Sequence, residues 1–295
     1  MRLARLTLGV VLAVGAIAAP SIARAWPQKR AVLTGYDALV PSGVPATVRF
    51  KVESDTYSKY DLKGLTVEFW ANGSKLGSAT SDYRGYASFS LSAPPSSGDL
   101  LVTGKVVSNS YAASDETLLL CVRPKTGRVV VTDIDGTISG ARWSEVTSKP
   151  NSSLYPVRGA VQGLIDIAKD ATVLYLTARE DRYRAKTRDW LQLRGFPRGP
   201  LMCSDDDLGS GDPSIQKSRT LRALVPYFPN MKWGFGNKNT DAKAYRNNGL
   251  AIFLFDTEDA APYASDAFVT DDWSDLRAVN AAGQVPSLSW AASFR

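Results

Sequence analysis

The sequence contains no histidine, and this absence restricts the possible chemistry more than any other feature of its composition. Ser-His-Asp triads, histidine-ligated zinc and histidine general bases are all excluded. A catalytic site in this chain would therefore use carboxylates, hydroxyls, lysine and a metal ion held by oxygen ligands.

Cysteine is nearly absent as well. Cys121 and Cys203 are the only two cysteines, and their even number would allow one disulfide. Cys121 precedes the strand that ends at Asp133, whereas Cys203 lies at the far end of another predicted strand. At about 3.3 Å per residue the two could be roughly 20 Å apart. We therefore predict two free thiols.

Long apolar runs are missing except at the amino terminus. Residues 1–25 combine Arg2 and Arg5 with an uncharged apolar stretch and end in Ala23-Arg24-Ala25, a pattern typical of a signal peptidase site. We predict a signal peptide that is cleaved before Trp26, and hence a secreted or periplasmic protein. The alternative is an uncleaved membrane anchor, against which the interruption at Pro20 argues.

The chain has no strong excess of either charge. Removing residues 1–25 takes away three arginines and no acidic residue, so the formal charge falls from +6 to +3. This balance, without an aromatic-basic repeat, predicts no nucleic-acid partner. No amphipathic helix follows the signal peptide, so membrane contact is at most peripheral. We expect a monomer.

Residues 26–122 alternate apolar and polar side chains with period two, as in TVRFKVES, which predicts an all-β sandwich. LTVEFW and KLGSAT flank the turn pair Asn72-Gly73 and predict a hairpin. The segment VEFWANGSKLGSATSDYRGYASFSL resembles bacterial immunoglobulin-like modules. A packing or spacer role without chemistry is predicted for this domain, with surface adhesion as the alternative.

After a linker at residues 123–128, residues 129–295 alternate strands and helices. RVVVTD, ATVLYLTARE, GPLMCS, KWGFGN and LAIFLFD are predicted strands, separated by helical segments such as DRYRAKTRDWLQLRG. This alternation predicts an α/β domain, a Rossmann-like parallel sheet flanked by helices. Ligands of such sheets bind at the carboxyl ends of the strands.

Two carboxylates stand at one such strand end. Asp133 and Asp135 follow three valines in VVVTDIDGT, where their charges repel one another. A magnesium ion would relieve that repulsion because it prefers oxygen ligands. Gly136 lets the chain turn without a side chain in the way and is a candidate phosphate-binding residue.

Polar residues follow the other predicted strands too. Thr177 and the Ala178 amide, in YLTARE, could hold phosphate oxygens, and Lys217 of SIQKSRTL offers a cation to the same oxygens. In GNKNTD, Asn237 and Asp241 are candidate metal ligands or holders of ligands.

DIDGT, the threonine of YLTARE, Lys217 and GNKNTD resemble the four motifs of the haloacid dehalogenase (HAD) superfamily of phosphohydrolases. FPRGPLMCSDD and GFGNKNTDAKAY further resemble the LNS2-type catalytic domain of lipins, the magnesium-dependent phosphatidate phosphatases. The resemblance covers residues 128–258. It implies that Asp133 is the nucleophile, Asp135 the general acid and base, Thr177 and Lys217 catalytic phosphate ligands, and Mg²⁺ the cofactor.

Several residues near these motifs depart from the superfamily pattern or allow two roles. Asn237 stands where many members of the superfamily carry an acid, which makes Asp241 the safer metal ligand. Arg179 and Lys238 either contact substrate or form surface ion pairs. Two charged groups are predicted to be solvated surface: the acidic residues 205–207, with a second cation site as the alternative, and a basic helix face. That face consists of Arg182, Arg184, Lys186 and Arg188.

The gaps in which HAD proteins carry cap domains are short here, at residues 139–156 and 204–212, which predicts a capless fold. The sequence thus favours an exported, Mg²⁺-dependent phosphatase acting on phosphomonoesters, lipid phosphates among them. Two alternatives remain at this point. One is a phosphatidate-binding sensor, as in related domains of phosphatidylinositol-transfer proteins that have lost catalytic residues, and the other is adhesion through the β domain.

Overall fold

The computed structural model describes residues 28–92, 94, 96–204, 212–255, 267–270 and 272–276. The predicted signal peptide and the acidic residues 205–207 lie outside these ranges, so their assignments stay predictions. Two regions of different architecture follow one another along the chain, and the last strand of the first is joined to the second through residues 124–127.

The first region contains strands only, in two packed sheets. One sheet has the order β6-β3-β1-β8 and the other the order β2-β9-β7-β4-β5. The nine strands are β1 (Lys29–Tyr36), β2 (Ala38–Pro41), β3 (Ala46–Ser54), β4 (Thr66–Ala71), β5 (Ser74–Thr80), β6 (Tyr86–Leu91), β7 (Gly98–Val107), β8 (Tyr111–Ala112) and β9 (Glu116–Arg123). This arrangement agrees with the predicted β sandwich, while the immunoglobulin-like resemblance stays a prediction.

The predicted hairpin is present. β4 and β5 pair antiparallel on either side of Asn72 and Gly73, whose φ angles of 51° and 76° are those of a type I′ turn. Apolar and polar side chains alternate along β3 because successive side chains of a strand point to opposite faces. Val48 and Phe50 are fully buried between the two sheets, while Arg49 faces outward.

The second region is a parallel sheet with helices. Its strands lie in the order β12-β11-β10-β13-β14-β15, which is 3-2-1-4-5-6 when counted from β10, the order of doubly wound folds. The strands are β10 (Arg128–Thr132), β11 (Ala171–Glu180), β12 (Leu201–Ser204), β13 (Met231–Gly236), β14 (Ala251–Leu254) and β15 (Ala267–Val269). The helices are α1 (Trp143–Ser148), α2 (Ala160–Ile167), α3 (Arg184–Leu193), α4 (Pro213–Leu224) and α5 (Asn239–Arg246).

Helices cover both faces of this sheet. Leu164 of α2 and Trp190 of α3 belong to the apolar cluster on one face. Leu221 of α4 and Tyr245 of α5 belong to the cluster on the other face. Because strand order reverses beside β10, the carboxyl end of β10 is the position at which such sheets bind ligands.

The two regions share one apolar core. Leu39, Leu119 and Cys121 of the β sandwich belong to the same cluster as Val131 and Leu174 of the parallel sheet. Cys121 is a buried free thiol and Cys203 a half-buried one, as predicted. The first region is therefore packed into the second over an apolar surface rather than tethered to it.

A buried ion cluster lies at the same interface and corrects one prediction. Arg184 and Arg188 of α3 both donate to the carboxylate of Asp37, in the loop between β1 and β2, whose side chain is 0% exposed. The prediction of a solvated basic face is therefore wrong for these two arginines. Periodicity alone cannot reveal a partner that lies 147 residues earlier in the chain.

In the described part of the chain, no helix combines the length and the apolar character needed to cross a membrane.

Candidate active site

The carboxyl ends of β10, β11 and β13 open into one cavity of about 600 Å³. Every residue that the sequence suggested for catalysis, phosphate binding or metal binding lines it: Asp133, Asp135, Gly136, Thr177, Ala178, Lys217, Asn237 and Asp241. Parallel strands place their ends at one edge of the sheet, which is why residues over 100 positions apart meet here.

Lys217 is enclosed between two carboxylates at the floor of this cavity. Its Nζ lies 2.6 Å from Asp133 Oδ1 and 2.5 Å from Asp241 Oδ1. The three side chains are exposed by only 3%, 8% and 1%. Asp133 directly follows β10, and Lys217 and Asp241 lie on α4 and α5, so this ion cluster fixes the distance between three separate elements.

Burial and charge act against each other in this cluster. Burial raises the pKa of the Asp133 carboxyl, Lys217 lowers it and Asp241 raises it again, with a net value above the ordinary one. Burial lowers the pKa of Lys217, but the charges of Asp133 and Asp241 outweigh burial and raise it. Lys217 is therefore a permanent cation, of the kind that attracts a phosphoryl group.

Asp135 is held from the other side of the cavity. Arg179 at the end of β11 donates Nε to Asp135 Oδ2 at 2.9 Å and Nη2 to Oδ1 at 2.7 Å. The Arg179 side chain is only 2% exposed, so this is a buried bidentate pair and not the surface ion pair that the sequence allowed. Asp135 itself is 29% exposed and faces the open part of the cavity.

The backbone turn after Asp135 approaches Asn237 very closely. Gly136 has φ of +79°, and a Cβ there would lie 2.0 Å from the Asn237 Nδ2 atom. Both facts require glycine at this position, which gives the Gly of DIDGT its physical reason. The approach brings the Asn237 side chain directly against the loop that carries Asp133 and Asp135.

Thr177 is the innermost polar residue of β11. Its side chain is 1% exposed, and its Oγ1 accepts a hydrogen bond from the Arg179 amide at 3.2 Å. The hydroxyl proton of Thr177 and the amide of the neighbouring, exposed Ala178 can donate to an anion in the cavity. This pair fits the predicted phosphate contacts.

The oxygen ligands for a hard cation are in place. Asn237 Oδ1 is buried and accepts no hydrogen bond from any described residue, and the Asp133 carboxylate lies in the same cavity. Both Oδ atoms of Asp241 already accept hydrogen bonds, one from Lys217 and the other from two backbone amides. Asn237 therefore offers an open acceptor to a cation, while Asp241 Oδ1 keeps one lone pair, and the sequence expectation for Asp241 stays a prediction.

In the part of the chain that the structure covers, no three acidic, histidine or cysteine side chains form a metal-binding group. An Mg²⁺ ion at this site would instead combine Asp133, Asn237 and backbone or water oxygens, a set that suits magnesium because it usually keeps several waters.

Sequence reasoning missed two residues at the rim. Trp143 of α1 is 46% exposed, lines the cavity and meets the Tyr183 ring edge-on at 5.0 Å. Arg142, the second missed residue, precedes Trp143 and is exposed. Lys238, which the sequence analysis did name, is exposed in the lining of the same cavity. The signal in the sequence that could have identified Trp143 is an aromatic residue a few positions after the DIDGT segment.

Lys217→Met removes the cation between two buried carboxylates and keeps a side chain of similar length. We expect a loss of about 3–5 kcal/mol in the free energy of unfolding at pH 8, because an unpaired buried charge remains. Without Lys217, burial raises the pKa of the Asp133 carboxyl further. A carboxyl with a raised folded pKa stabilises the fold at low pH and loses that contribution as pH rises through its folded pKa.

The deficit against the wild type should therefore be smaller at pH 5 than at pH 8, measured by urea unfolding in EDTA. Lys243→Met, which removes a 54% exposed lysine from α5, is the control and should change little at either pH. A deficit that stays constant between pH 5 and 8 would contradict this account of the ion cluster.

One family model matches the region of the chain that carries this cavity. The family model described as PITM 1-3, LNS2 domain, matches residues 130–254, which is less than half of the 295 residues. This match supports the LNS2-type resemblance over the parallel-sheet region. No curated protein matches this chain.

Two solved structures are similar in part. A protein from Mesorhizobium loti, described as a HAD-like phosphatase, has a TM-score of 0.41 and 18% identity, covering 55% of this chain and 88% of its own. A chain of the Pnkp1/Rnl/Hen1 RNA repair complex has a TM-score of 0.39 and 17% identity, covering 45% of this chain, which in turn spans 44% of that one. At these low scores the fold description rests on the observed strand order, and the LNS2 match is the family-level finding for residues 130–254.

Proposed function

We propose that this protein is an exported, Mg²⁺-dependent phosphatase that hydrolyses phosphomonoesters through an aspartyl-phosphate on Asp133. The observation that carries the proposal is the meeting of Asp133, Asp135, Thr177 and Lys217 in one cavity. A nucleophile, an acid, a hydroxyl donor and a buried cation around one space are what phosphoryl transfer requires. The match of residues 130–254 to an LNS2 domain model supports the same reaction class.

The first half-reaction forms one bond and breaks another. An Asp133 oxygen attacks phosphorus, and the bond from phosphorus to the alcohol oxygen breaks. Asp135 supplies the proton that this oxygen needs to leave as an alcohol. Lys217, with Thr177 and the Ala178 amide, balances the charge on the phosphoryl oxygens.

The second half-reaction restores the enzyme. Asp135, now deprotonated, takes a proton from water, whose oxygen attacks phosphorus. The bond between phosphorus and Asp133 breaks, and inorganic phosphate leaves. Asp135 thus alternates between its protonated and deprotonated forms. Two hydrogen bonds from Arg179 hold the Asp135 side chain in place.

Bound Mg²⁺ supplies electrostatic stabilisation of the phosphoryl oxygens and relieves the repulsion between the acidic groups. Asp133 and Asn237 are the side chains that would hold it. The remaining contacts to the phosphoryl group come from the chain's own residues.

Asp133→Asn should abolish turnover, because an amide cannot form the acyl-phosphate. Asp135→Asn should lower turnover of an alkyl phosphate by roughly 10²- to 10⁴-fold, through loss of proton transfer. With p-nitrophenyl phosphate, whose leaving group needs little protonation, Asp135→Asn should instead accumulate phosphorylated protein, detectable by mass spectrometry after acid quench.

Wild-type rates for Asp135→Asn on an alkyl phosphate would refute the acid role of Asp135. A wild-type protein that binds phosphatidate vesicles but turns over no phosphomonoester would favour the alternative of a lipid-binding sensor.

Activity should disappear in EDTA and return with Mg²⁺, because the ligands are oxygen atoms. Asn237→Ala should raise the Mg²⁺ concentration for half-maximal rate by about 10- to 100-fold. Asn239→Ala, two residues along on the exposed start of α5, is the control and should leave it unchanged. Full activity after exhaustive chelation would remove the metal from the mechanism.

The shape of the site bears on the class of substrate. The gap of residues 139–156 holds only α1 and a short turn, so it contributes no cap domain. A small phosphate would therefore be poorly enclosed, and binding energy must come from a larger body lying across the rim. Trp143, half exposed beside two basic residues, offers such a body an apolar and cationic surface. We therefore propose a phosphomonoester on a lipid or macromolecule, with phosphatidate the first candidate.

Phosphatidate in vesicles should have a higher kcat/KM than any sugar or nucleotide phosphate. Trp143→Ala should lower kcat/KM for the vesicle substrate about 10-fold and change that for p-nitrophenyl phosphate less than about 2-fold, since only the large substrate reaches the rim. Tyr155→Ala, an exposed aromatic residue outside the cavity, is the control. A small metabolite phosphate processed best of all would refute the assignment.

A further inference from the structure

The Asp37 carboxylate accepts four hydrogen bonds, from α3, from β12 and from β9 of its own β sandwich. Oδ1 accepts from Arg184 and from the Leu119 amide at 2.7 Å, and Oδ2 accepts from Arg188 and from the Leu201 amide at 2.8 Å. With its side chain 0% exposed, Asp37 has its hydrogen-bonding capacity filled by protein donors.

Arg184 and Arg188 lie on either side of Thr187, the α3 residue that contacts Arg179. Thr187, one helical turn after Arg184 and adjacent to Arg188, accepts Arg179 Nη1 at 3.0 Å. Its own hydroxyl proton goes to the Tyr183 carbonyl at 2.8 Å, so its lone pair is aimed at Arg179. The position of α3 therefore sets the position of the Arg179 guanidinium.

Two further contacts join the β sandwich to this part of the chain, one to the turn after Arg179 and one to the first residue of α3. The Tyr36 hydroxyl donates to Asp181, and Arg184 Nη1 donates to Glu116 Oε1 at 3.0 Å. The β sandwich thus contacts both the turn at residues 181–183 and helix α3, which follow the YLTARE segment. No comparable contact is needed merely to join two domains, because the shared apolar core already does so.

We infer that Asp37 is a positioning residue of the active site: through Arg184, Arg188, Thr187 and Arg179 it fixes the direction in which the Asp135 carboxylate faces. The predicted spacer domain is then part of the enzyme, although it supplies no reacting group. This inference rests on the phosphatase function proposed above for Asp135.

The test separates orientation of the acid from stability of the fold. In Asp37→Asn, kcat/KM for a soluble alkyl phosphate should fall about 10-fold or more, because a displaced acid no longer meets the leaving oxygen. For p-nitrophenyl phosphate kcat/KM should fall less than about 3-fold, because that leaving group needs little protonation. Thr187→Val, which cuts the link to Arg179 but leaves Asp37 and its partners intact, should show the same selectivity.

Asp99→Asn is the matched control. Asp99 is also a β-sandwich carboxylate that pairs across the interface with an arginine, Arg198, but none of its partners lies on α3. The Asp99→Asn substitution should change kcat/KM only slightly, and by the same factor for both substrates. If Asp37→Asn does not fold, Arg188→Gln replaces it, since Arg188 is 29% exposed and Arg184 remains paired.

Amide hydrogen exchange of residues 178–188 gives a readout independent of activity. It should rise about 10-fold in Asp37→Asn or Arg188→Gln and not in Asp99→Asn. Equal losses on both substrates together with unchanged exchange would overturn the inference while the phosphatase stands. Wild-type protein without turnover would refute the proposed function, and exchange alone would then decide whether Asp37 positions this segment.

Discussion

The ammonium group of Lys217, enclosed by the carboxylates of Asp133 and Asp241, is the interaction on which the rest of the site depends. Two acids and one base leave an excess negative charge in a space from which water is largely excluded. Such a cluster is a poor source of stability, because desolvation offsets much of the attraction between the charges. It is a good receptor for a cation and a phosphoryl group together, since the first meets the excess charge and the second meets Lys217.

This constraint explains why the neighbouring backbone is so tightly specified. Gly136 cannot carry a side chain, because a Cβ there would lie 2.0 Å from the Asn237 Nδ2 atom. Gly236 is similarly limited, because a Cβ there would lie 2.4 Å from the Asp241 Cβ. The glycines thus allow the strand ends to come close enough for their polar side chains to share one cavity.

Much of the site could be predicted because its residues follow strands whose apolar patterns are clear. Asp133, Thr177 and Asn237 are each preceded by a buried run, and parallel strands bring such positions to one edge. β15 could not be predicted, because its three residues are too few to show a period. The pairing of Arg179 with Asp135 was also missed, since the spacing of two charged residues does not say which of them is buried.

Asp37 is the residue whose role is least visible in the amino-acid sequence. In sequence it is a single acid in a turn between two short strands, a place where acids are ordinary. Its partners Arg184 and Arg188 occur in a helix so rich in basic residues that a solvated face is the natural interpretation. Only the three-dimensional arrangement reveals that Asp37 forms one buried ion cluster with arginines 147 and 151 positions later in the chain.

The shared core has a consequence for the order of folding. The β sandwich is complete at Arg123, yet Leu39, Leu119 and Asp37 find their partners only when residues as late as Leu201 have been made. During synthesis from the amino terminus, this first domain therefore exposes an apolar surface around an unpaired carboxylate. Contacts of such long sequence separation form late and slowly. A chain made only as far as Arg123 would therefore expose this apolar surface until α3 and β12 pack against it.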